Sequence, residues 1–145
     1  MRADGEGGKR GVMAETPGAP ETEPVRRVVV ADDEDDVRLL FEQRFRRERR
    51  AGDLTFEFAA SGEEALALLT ESGGTAALIL SDINMPGMNG FQLLERIRKE
   101  WPDIAVYLVT AYDSDDYRQQ AIDRGATGYF TKPLDFAELK RVLTA

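Results

Sequence analysis

The chain of 145 residues contains no cysteine and no histidine. Without cysteine it has no disulfide framework and no thiol chemistry. Without histidine it has no imidazole nucleophile, base or metal ligand. No apolar run approaches the ~20 residues that span a bilayer, and no signal peptide is recognisable at the N-terminus. These absences favour a soluble cytoplasmic protein.

The net charge of the chain limits the classes of partner that its surface can bind. A net charge of −8 argues against nonspecific binding of nucleic acid or an anionic membrane by the whole surface. Residues 1–25 are rich in Gly, Pro and Glu and have almost no large apolar side chains, which predicts a disordered N-terminal extension. The remaining residues, 26–145, are enough for one domain with its own hydrophobic core.

From residue 28 onward the patterns of strands and helices alternate. Short apolar runs predict five strands, at residues 28–31, 55–59, 77–81, 104–109 and 127–131. The first and third are continuously apolar, as expected of strands buried on both faces. Helical spacing predicts five helices, the first running from Val37 to Arg50 and the others beginning near Ser61, Phe91, Asp113 and Leu134. This alternation predicts an α/β fold, a doubly wound parallel sheet with helices on both faces.

Polar residues follow the apolar run at four of the predicted strands. Asp32 and Asp33 follow the first strand, Asp82 the third, Thr110 the fourth and Lys132 the fifth. The carboxyl ends of parallel strands share one edge of the sheet, so we expect these side chains to meet in one crevice. Three carboxylates, a hydroxyl and an ammonium group in that crevice suit a divalent cation and a phosphoryl group.

This set of residues resembles the receiver domain of two-component response regulators. The resemblance also rests on the sequence MPGMNG that follows the central aspartate and on Lys132-Pro133, and it covers roughly residues 27–143. Each motif alone is weak, whereas five in the right order at the right strand ends are a strong signal. The resemblance implies a flavodoxin-like fold with strand order 2-1-3-4-5. It also implies a self-phosphorylating signalling module rather than an enzyme.

The clustered carboxylates predict a Mg²⁺ site. Like charges crowded together are unfavourable without a cation, and Mg²⁺ prefers oxygen ligands and keeps several waters. Asp33 and Asp82 are the better direct ligands, Asp32 acts through water, and the backbone carbonyl of Asn84 completes the set. The acids at positions 35 and 36 are interpreted instead as favourable charges at a helix N-terminus.

Asp82 is the predicted nucleophile, because a carboxylate that attacks phosphorus gives an aspartyl phosphate. By resemblance, Asp82 accepts the phosphoryl group from a histidine kinase or a histidine phosphotransfer protein. The lack of histidine in the chain fits a donor that is another molecule. Lys132 is expected to neutralise charge together with Mg²⁺, a structural salt bridge being the alternative. The resemblance implies that the Lys132–Pro133 peptide is cis.

Thr110 and Tyr129 are the predicted switch, although Thr and Tyr are also ordinary strand residues. In the family, the threonine hydroxyl moves to hydrogen-bond the phosphate and the aromatic residue turns inward. The output face would be the fourth helix, fifth strand and fifth helix, open to an unknown effector or protein target or to a second copy in a homodimer. Asn84 and Tyr112 stand two residues after Asp82 and Thr110 and are expected to tune the lifetime of the phosphate, the bulky Tyr112 slowing hydrolysis.

Two other functions remain open at this point. A haloacid-dehalogenase-like phosphatase also uses an aspartate nucleophile with Mg²⁺, Thr and Lys on a parallel sheet. It expects that aspartate in a DxD pair on the first strand, whereas here the position two after Asp82 is Asn84, which cannot protonate a leaving group. The third function, a phosphorylation-independent interaction domain, conflicts with the complete set of acids, threonine and lysine.

Overall fold

The computed structural model describes residues 26–144, so the predicted extension at 1–25 lies outside the described part of the chain. The elements follow in the order β1 (Arg26–Ala31), α1 (Asp36–Arg44), α2 (Arg46–Arg50), β2 (Leu54–Ala59), α3 (Gly62–Glu71), β3 (Leu78–Asp82), α4 (Gly90–Glu100), β4 (Ala105–Thr110), α5 (Asp115–Asp123), β5 (Gly128–Thr131) and α6 (Phe136–Leu143). Across these residues no helix has the length and apolar character needed to cross a membrane.

The five strands form one parallel sheet in the order β2-β1-β3-β4-β5, which confirms the predicted fold class and strand order. β1 is an inner strand that pairs with β2 on one side and β3 on the other. The winding of the chain therefore reverses next to β1. In open α/β sheets a crevice forms at such a reversal, outside the carboxyl ends of the strands.

Alternate strand residues face two separate hydrophobic layers. One layer packs the odd-numbered residues of β1 and β3 against α3, α4 and α5, and its fully buried members include Val29, Ile79, Leu69, Leu94 and Ile97. The other packs the even-numbered residues against α1 and α6, and its members include Val28, Val30, Leu80, Phe41 and Leu139. Burying one such side chain stabilises the fold by about 1.5–3 kcal/mol. This double burial explains why residues 28–31 of β1 and 78–80 of β3 are continuously apolar in sequence.

The prediction of five helices was wrong by one, because the first predicted helix is split in two. The break is at Phe45, whose φ of −113° and ψ of 25° leave the helical range. Its ring is fully buried and stacks on that of Phe41, with a centroid distance of 5.8 Å. Beyond the break, four arginines in five residues repel one another at helical spacing, which disfavours a longer regular helix.

Glu48 of α2 is a buried carboxylate. Its Oε2 forms an ion pair with Nζ of Lys140 in α6, at 2.7 Å. This pair connects the short Arg-rich helix to the last helix of the domain. The hydrogen bond from Lys140 lowers the pKa of Glu48 against the opposing effect of burial. Position 48 therefore contributes to stability as a charged group.

Candidate functional site

The candidate site lies in the crevice at the carboxyl ends of β1 and β3. Asp32 and Asp33 follow β1 directly, and Asp82 is the last residue of β3. The main-chain N–H of Asp32 donates to the carbonyl of Ala59 at 3.0 Å, which extends the β1–β2 ladder by one residue. Oδ1 of Asp32 accepts the N–H of Glu34 at 2.9 Å. This turn fixes the Asp32 carboxylate at the end of the strand.

Three carboxylates meet there as predicted. One oxygen atom from each of Asp32, Asp33 and Asp82 lies within 4.8 Å of the others. Asp82 is 7% exposed, Asp32 is partly buried and Asp33 is exposed, so the cluster opens to solvent on one side. Oxygen donors in this number and with this access fit a hard cation such as Mg²⁺, which keeps part of its water shell.

Lys132 supplies the positive charge beside this cluster. Its Nζ lies 3.3 Å from Oδ2 of Asp82 and 3.4 Å from Oδ2 of Asp32. A third carboxylate, that of Glu34, lies 3.6 Å away and was not anticipated from the sequence. Burial acts to lower the pKa of Lys132, but the carboxylates of Asp32 and Asp82 outweigh it and raise the pKa. The ammonium group therefore stays charged.

The backbone holds Lys132 in place at the end of β5. Its N–H donates to the carbonyl of Thr110 at 2.9 Å, so the residue extends the β4–β5 ladder by one bond. The Lys132–Pro133 peptide is cis, as the family resemblance implies.

The environment of Asp82 disfavours its charge. Burial raises the pKa of its carboxyl group, and the charge of Lys132 only partly opposes that effect. The nearby Asp32 carboxylate raises the pKa further. The N–H of Asn84 donates weakly to Oδ1 of Asp82, at 3.4 Å. The described groups thus leave the cluster short of positive charge, as a cation-binding site requires.

The turn after β3 positions Asp82 by close backbone packing. A Cβ atom on Gly90 would lie 2.5 Å from the carbonyl oxygen of Asp82 and 2.8 Å from Cα of Ile83. Asn89 caps α4 in a reciprocal capping box with Gln92, each hydrogen bond being 2.9 Å long. The MPGMNG segment therefore brings the start of α4 directly against the end of β3, and only glycine fits at position 90.

Thr110 lies at the end of β4 and is fully buried. Its Oγ1 accepts the N–H of Tyr112 at 3.0 Å. Tyr112 itself is 62% exposed, and its ring packs edge-to-face on that of Tyr117. The threonine hydroxyl oxygen thus accepts a local backbone bond at the edge of the crevice, and its own proton takes no part in that bond and can be donated to an acceptor such as a phosphate oxygen.

Tyr129 lies on β5 beneath the side chain of Arg118. The guanidinium carbon is 4.9 Å from the ring centroid, and Asp113 holds the guanidinium by two hydrogen bonds of 2.8 and 3.0 Å. The Tyr129 hydroxyl is buried without a hydrogen-bond partner among residues 26–144. Burial, followed by the Asp113 charge, raises the pKa of this hydroxyl. Arg118 therefore covers the ring, while no hydrogen bond among residues 26–144 has to break for the hydroxyl to move.

Two contacts at the site were missed in the sequence. Glu34 was passed over as one acid of an acidic run, yet it faces Lys132. Tyr117 donates its hydroxyl to Oδ1 of Asn84 at 3.2 Å across a gap of 33 positions in the chain. The acidic run carried a usable signal for Glu34, namely its place two residues after Asp32. Nothing local marks Tyr117, because the contact depends on how α5 is placed against the loop after β3.

Comparisons with known proteins agree with this architecture. The family model of the response regulator receiver domain matches residues 28–144. The sporulation initiation phosphotransferase F of Bacillus subtilis is 33% identical over 114 residues, which cover 79% of this chain and 87% of that protein. The DNA-binding transcriptional regulator NtrC of Salmonella typhimurium is 36% identical over 111 residues, or 77% of this chain but only 22% of that much longer protein.

A solved structure is similar in both fold and sequence. The response regulator protein TrrA of Thermotoga maritima, crystallised in complex with Mg(2+)-BeF, matches with a TM-score of 0.66 and 33% identity. The match covers 82% of this chain and 96% of that one.

Proposed function

This chain belongs to the response regulator receiver domain family, and we propose that Asp82 is the residue on which it is phosphorylated. Receiver domains act in phosphorylation-dependent signalling rather than as enzymes of metabolism. The observation that carries the proposal is the position of the Asp82 carboxylate, between Asp32, Asp33 and the Lys132 ammonium at the open end of the sheet. The same position argues against the dehalogenase-like phosphatase, which expects its nucleophile on the first strand.

The proposed reaction is a transfer of one phosphoryl group. A carboxylate oxygen of Asp82 attacks phosphorus, the bond from phosphorus to the donor atom breaks, and the donor leaves with the electron pair of that bond. Phosphoryl transfer needs mainly positioning and charge stabilisation, which this crevice offers. Lys132 lies 3.3 Å from Asp82 and can contact an incoming phosphoryl oxygen without a large movement.

A Mg²⁺ ion would supply further neutralisation of phosphoryl charge. We assign Asp33 and Asp82 as its direct protein ligands, with Asp32 acting through water and the backbone carbonyl of Asn84 completing the set. The three-carboxylate cluster supports this assignment, and so does the Mg(2+)-BeF complex of the similar TrrA. The exposure of Asp33 leaves room for the waters that Mg²⁺ retains.

The proposed partners follow from membership of the receiver family, and the absence of histidine in the chain fits a donor that is another molecule. The phosphoryl donor is a histidine kinase or a histidine phosphotransfer protein, met in the cytoplasm. Phosphorylation turns Thr110 towards the phosphate and lets Tyr129 move inward. The face formed by α5, β5 and α6 then changes and engages a protein target or a second copy of the chain. The Tyr129 hydroxyl supports such a switch, because it has no hydrogen bond to break among residues 26–144 when the ring moves.

Intact mass tests this proposal. The protein is incubated with acetyl phosphate and Mg²⁺, beside an incubation with EDTA and beside the variants Asp82→Asn and Asp103→Asn. Asp103 is an exposed acid before β4 and serves as the matched control for the same chemical change. We expect one phosphoryl adduct in the wild type and in the control, and none in Asp82→Asn or without metal.

Other results would assign the chain differently. An adduct that survives in Asp82→Asn would move the acceptor elsewhere. No adduct under any condition would favour a phosphorylation-independent interaction domain. Steady release of inorganic phosphate from unrelated esters, over many turnovers, would favour the phosphatase.

A further inference from the structure

The hydroxyl of Tyr117 is held rigidly next to the site. Tyr117 lies in the first turn of α5, where its N–H donates to Oγ of the capping residue Ser114 at 3.0 Å. Its ring is packed between two aromatic neighbours, both edge-on, with centroid distances of 5.4 Å to Phe91 and 5.3 Å to Tyr112. These three contacts fix the ring, so the direction of the hydroxyl is set before any ligand binds.

The acceptor of this hydroxyl belongs to the residue beside the nucleophile. Asn84 stands two residues after Asp82, and its N–H points at Oδ1 of Asp82 at 3.4 Å. Its side chain extends from there to α5 and ends on the Tyr117 hydroxyl at 3.2 Å. Asn84 is otherwise exposed. The bond to Tyr117 therefore decides where an otherwise mobile amide is held.

We propose that Tyr117 is a positioning residue that lengthens the life of the phosphate on Asp82 by occupying the carbonyl oxygen of Asn84. This inference rests on the proposed function. Hydrolysis needs a water oxygen to attack phosphorus while the bond from phosphorus to the Asp82 oxygen breaks. The carboxylate is regenerated, phosphate leaves, and the water proton passes to phosphate or solvent. A neutral acceptor near phosphorus can orient that water, and Oδ1 of Asn84 is such an acceptor.

Loss of the Tyr117 hydroxyl frees Oδ1 of Asn84 to accept a hydrogen bond from the attacking water. The change Tyr117→Phe removes this one oxygen and keeps the ring between Phe91 and Tyr112. One hydrogen bond corresponds to a change in rate of about three- to tenfold. We therefore expect the phosphorylated Tyr117→Phe variant to lose its phosphate about three to ten times faster than the wild type.

The test follows the decay of the adduct. Wild type and variants are phosphorylated with acetyl phosphate and Mg²⁺, desalted, and sampled by intact mass in fresh Mg²⁺ buffer. The matched control is Tyr107→Phe, which removes the same hydroxyl from β4 three residues before Thr110 and should decay like the wild type. In an Asn84→Ala background, Tyr117→Phe should have no further effect, because the oxygen that it frees is missing.

The outcomes separate this inference from the proposed function. Decay of Tyr117→Phe at the wild-type rate would overturn the inference while leaving phosphorylation intact. Faster decay that persists in the Asn84→Ala background would also overturn it, because the effect would then come from the packing of α5. Failure of the wild type to form an adduct would remove the proposed function and the inference with it. Side-chain amide signals of Asn84 that do not shift between wild type and Tyr117→Phe would overturn the contact itself.

Discussion

Among Asp32, Asp33 and Asp82, Asp33 is the acid whose charge is least compensated. Asp32 and Asp82 each lie within 3.4 Å of the Lys132 ammonium, whereas no ion pair of Asp33 occurs among residues 26–144. Replacing Asp33 by asparagine keeps the shape of the side chain and removes its charge. Without metal this change relieves repulsion, so the variant should be more stable than the wild type.

The size of the effect follows from the spacing of the carboxylates. Their oxygens lie within 4.8 Å of one another. Two unit charges at that separation repel by about 0.9 kcal/mol in water and by about 3.5 kcal/mol at an effective dielectric constant of 20. Asp33 is exposed, so the value in water applies to its repulsion with Asp32 and with Asp82. The charge of Lys132 offsets part of the total repulsion. We expect the free energy of unfolding to rise by about 1 kcal/mol and Tm by about 3–6 °C.

The assay is a thermal melt in EDTA and in Mg²⁺. At a Mg²⁺ concentration ten times its Kd, the wild type should gain about 1.4 kcal/mol. Asp33→Asn should gain much less, so the order of the two proteins should reverse. The matched control is Asp35→Asn, which removes the same charge at the N-terminus of α1, where an acid is favourable by about 0.3–1 kcal/mol.

The control separates local repulsion from the general relief of charge in an acidic protein. Asp35→Asn should not raise the melting temperature in EDTA. If Asp33→Asn melts at or below the wild type in EDTA, or if both variants rise equally, the clustered-carboxylate reasoning is refuted.

Three further changes test other parts of the structure. Gly90→Ala places a methyl group against the carbonyl of Asp82 and should lower the free energy of unfolding by about 1–3 kcal/mol in urea titrations, so wild-type stability would contradict the close approach. Glu48→Gln should cost about 1–2 kcal/mol at neutral pH. Because the folded pKa of Glu48 is lowered, that advantage of the wild type is present above the unfolded pKa of about 4.3 and is lost as the pH falls through the folded value. A difference in the free energy of unfolding that stays constant down to acid pH would exclude the charged pair with Lys140. Lys132→Ala should slow phosphorylation by acetyl phosphate about a hundredfold in timed intact-mass samples, and a rate close to that of the wild type would remove Lys132 from the reaction.

The strands could be predicted from the sequence because β1 and β3 are apolar and buried on both faces and the others carry shorter apolar runs. Every predicted strand overlaps an observed one, and the ends differ by at most two residues. The largest difference is at the start of β1, where Arg26 and Arg27 extend the strand. Two charged residues do not indicate a buried strand, yet Arg27 forms a forked pair with Glu57 of β2, with both bonds at 2.7 Å. That pairing joins residues 30 positions apart and leaves no local pattern.

The helix break at Phe45 was unpredictable for a related reason. Helical spacing fits Val37, Leu40 and Phe41 and continues to Phe45, so the pattern indicates one helix. In the structure Leu40 is 39% exposed while Phe45 is fully buried. The burial of Phe45 depends on aromatic neighbours from β2 and α6. The spacing of apolar residues within one helix carries no information about such contacts between elements.

The residues of the site divide in the same way. Asp32, Asp33, Asp82, Thr110 and Lys132 were predictable because a parallel sheet brings the ends of its strands to one edge, whatever the loops do. Tyr117 and Arg118 were not, because they reach the site from a helix whose distance from the sheet is set by packing. The residues at the strand ends, which the topology brings together, can carry the proposed chemistry. Tyr117 and Arg118, which helix packing places, can adjust it through their contacts with Asn84 and with the ring of Tyr129.

This division bears on how the domain can respond to phosphorylation. Tyr117 and Arg118 are neighbours in α5, and they contact the loop after β3 and the Tyr129 ring on β5. A phosphoryl group on Asp82 that shifts Asn84 together with its bond to Tyr117 therefore acts on the same turn of helix that covers Tyr129. The coupling needs no long path, because α5 through Tyr117 and the end of β5 through Lys132 both reach the reacting end of the sheet, and both elements belong to the proposed output face. Couplings of this kind are typically about 1–3 kcal/mol, which a new hydrogen bond of Thr110 and one changed contact on the Tyr129 ring can supply.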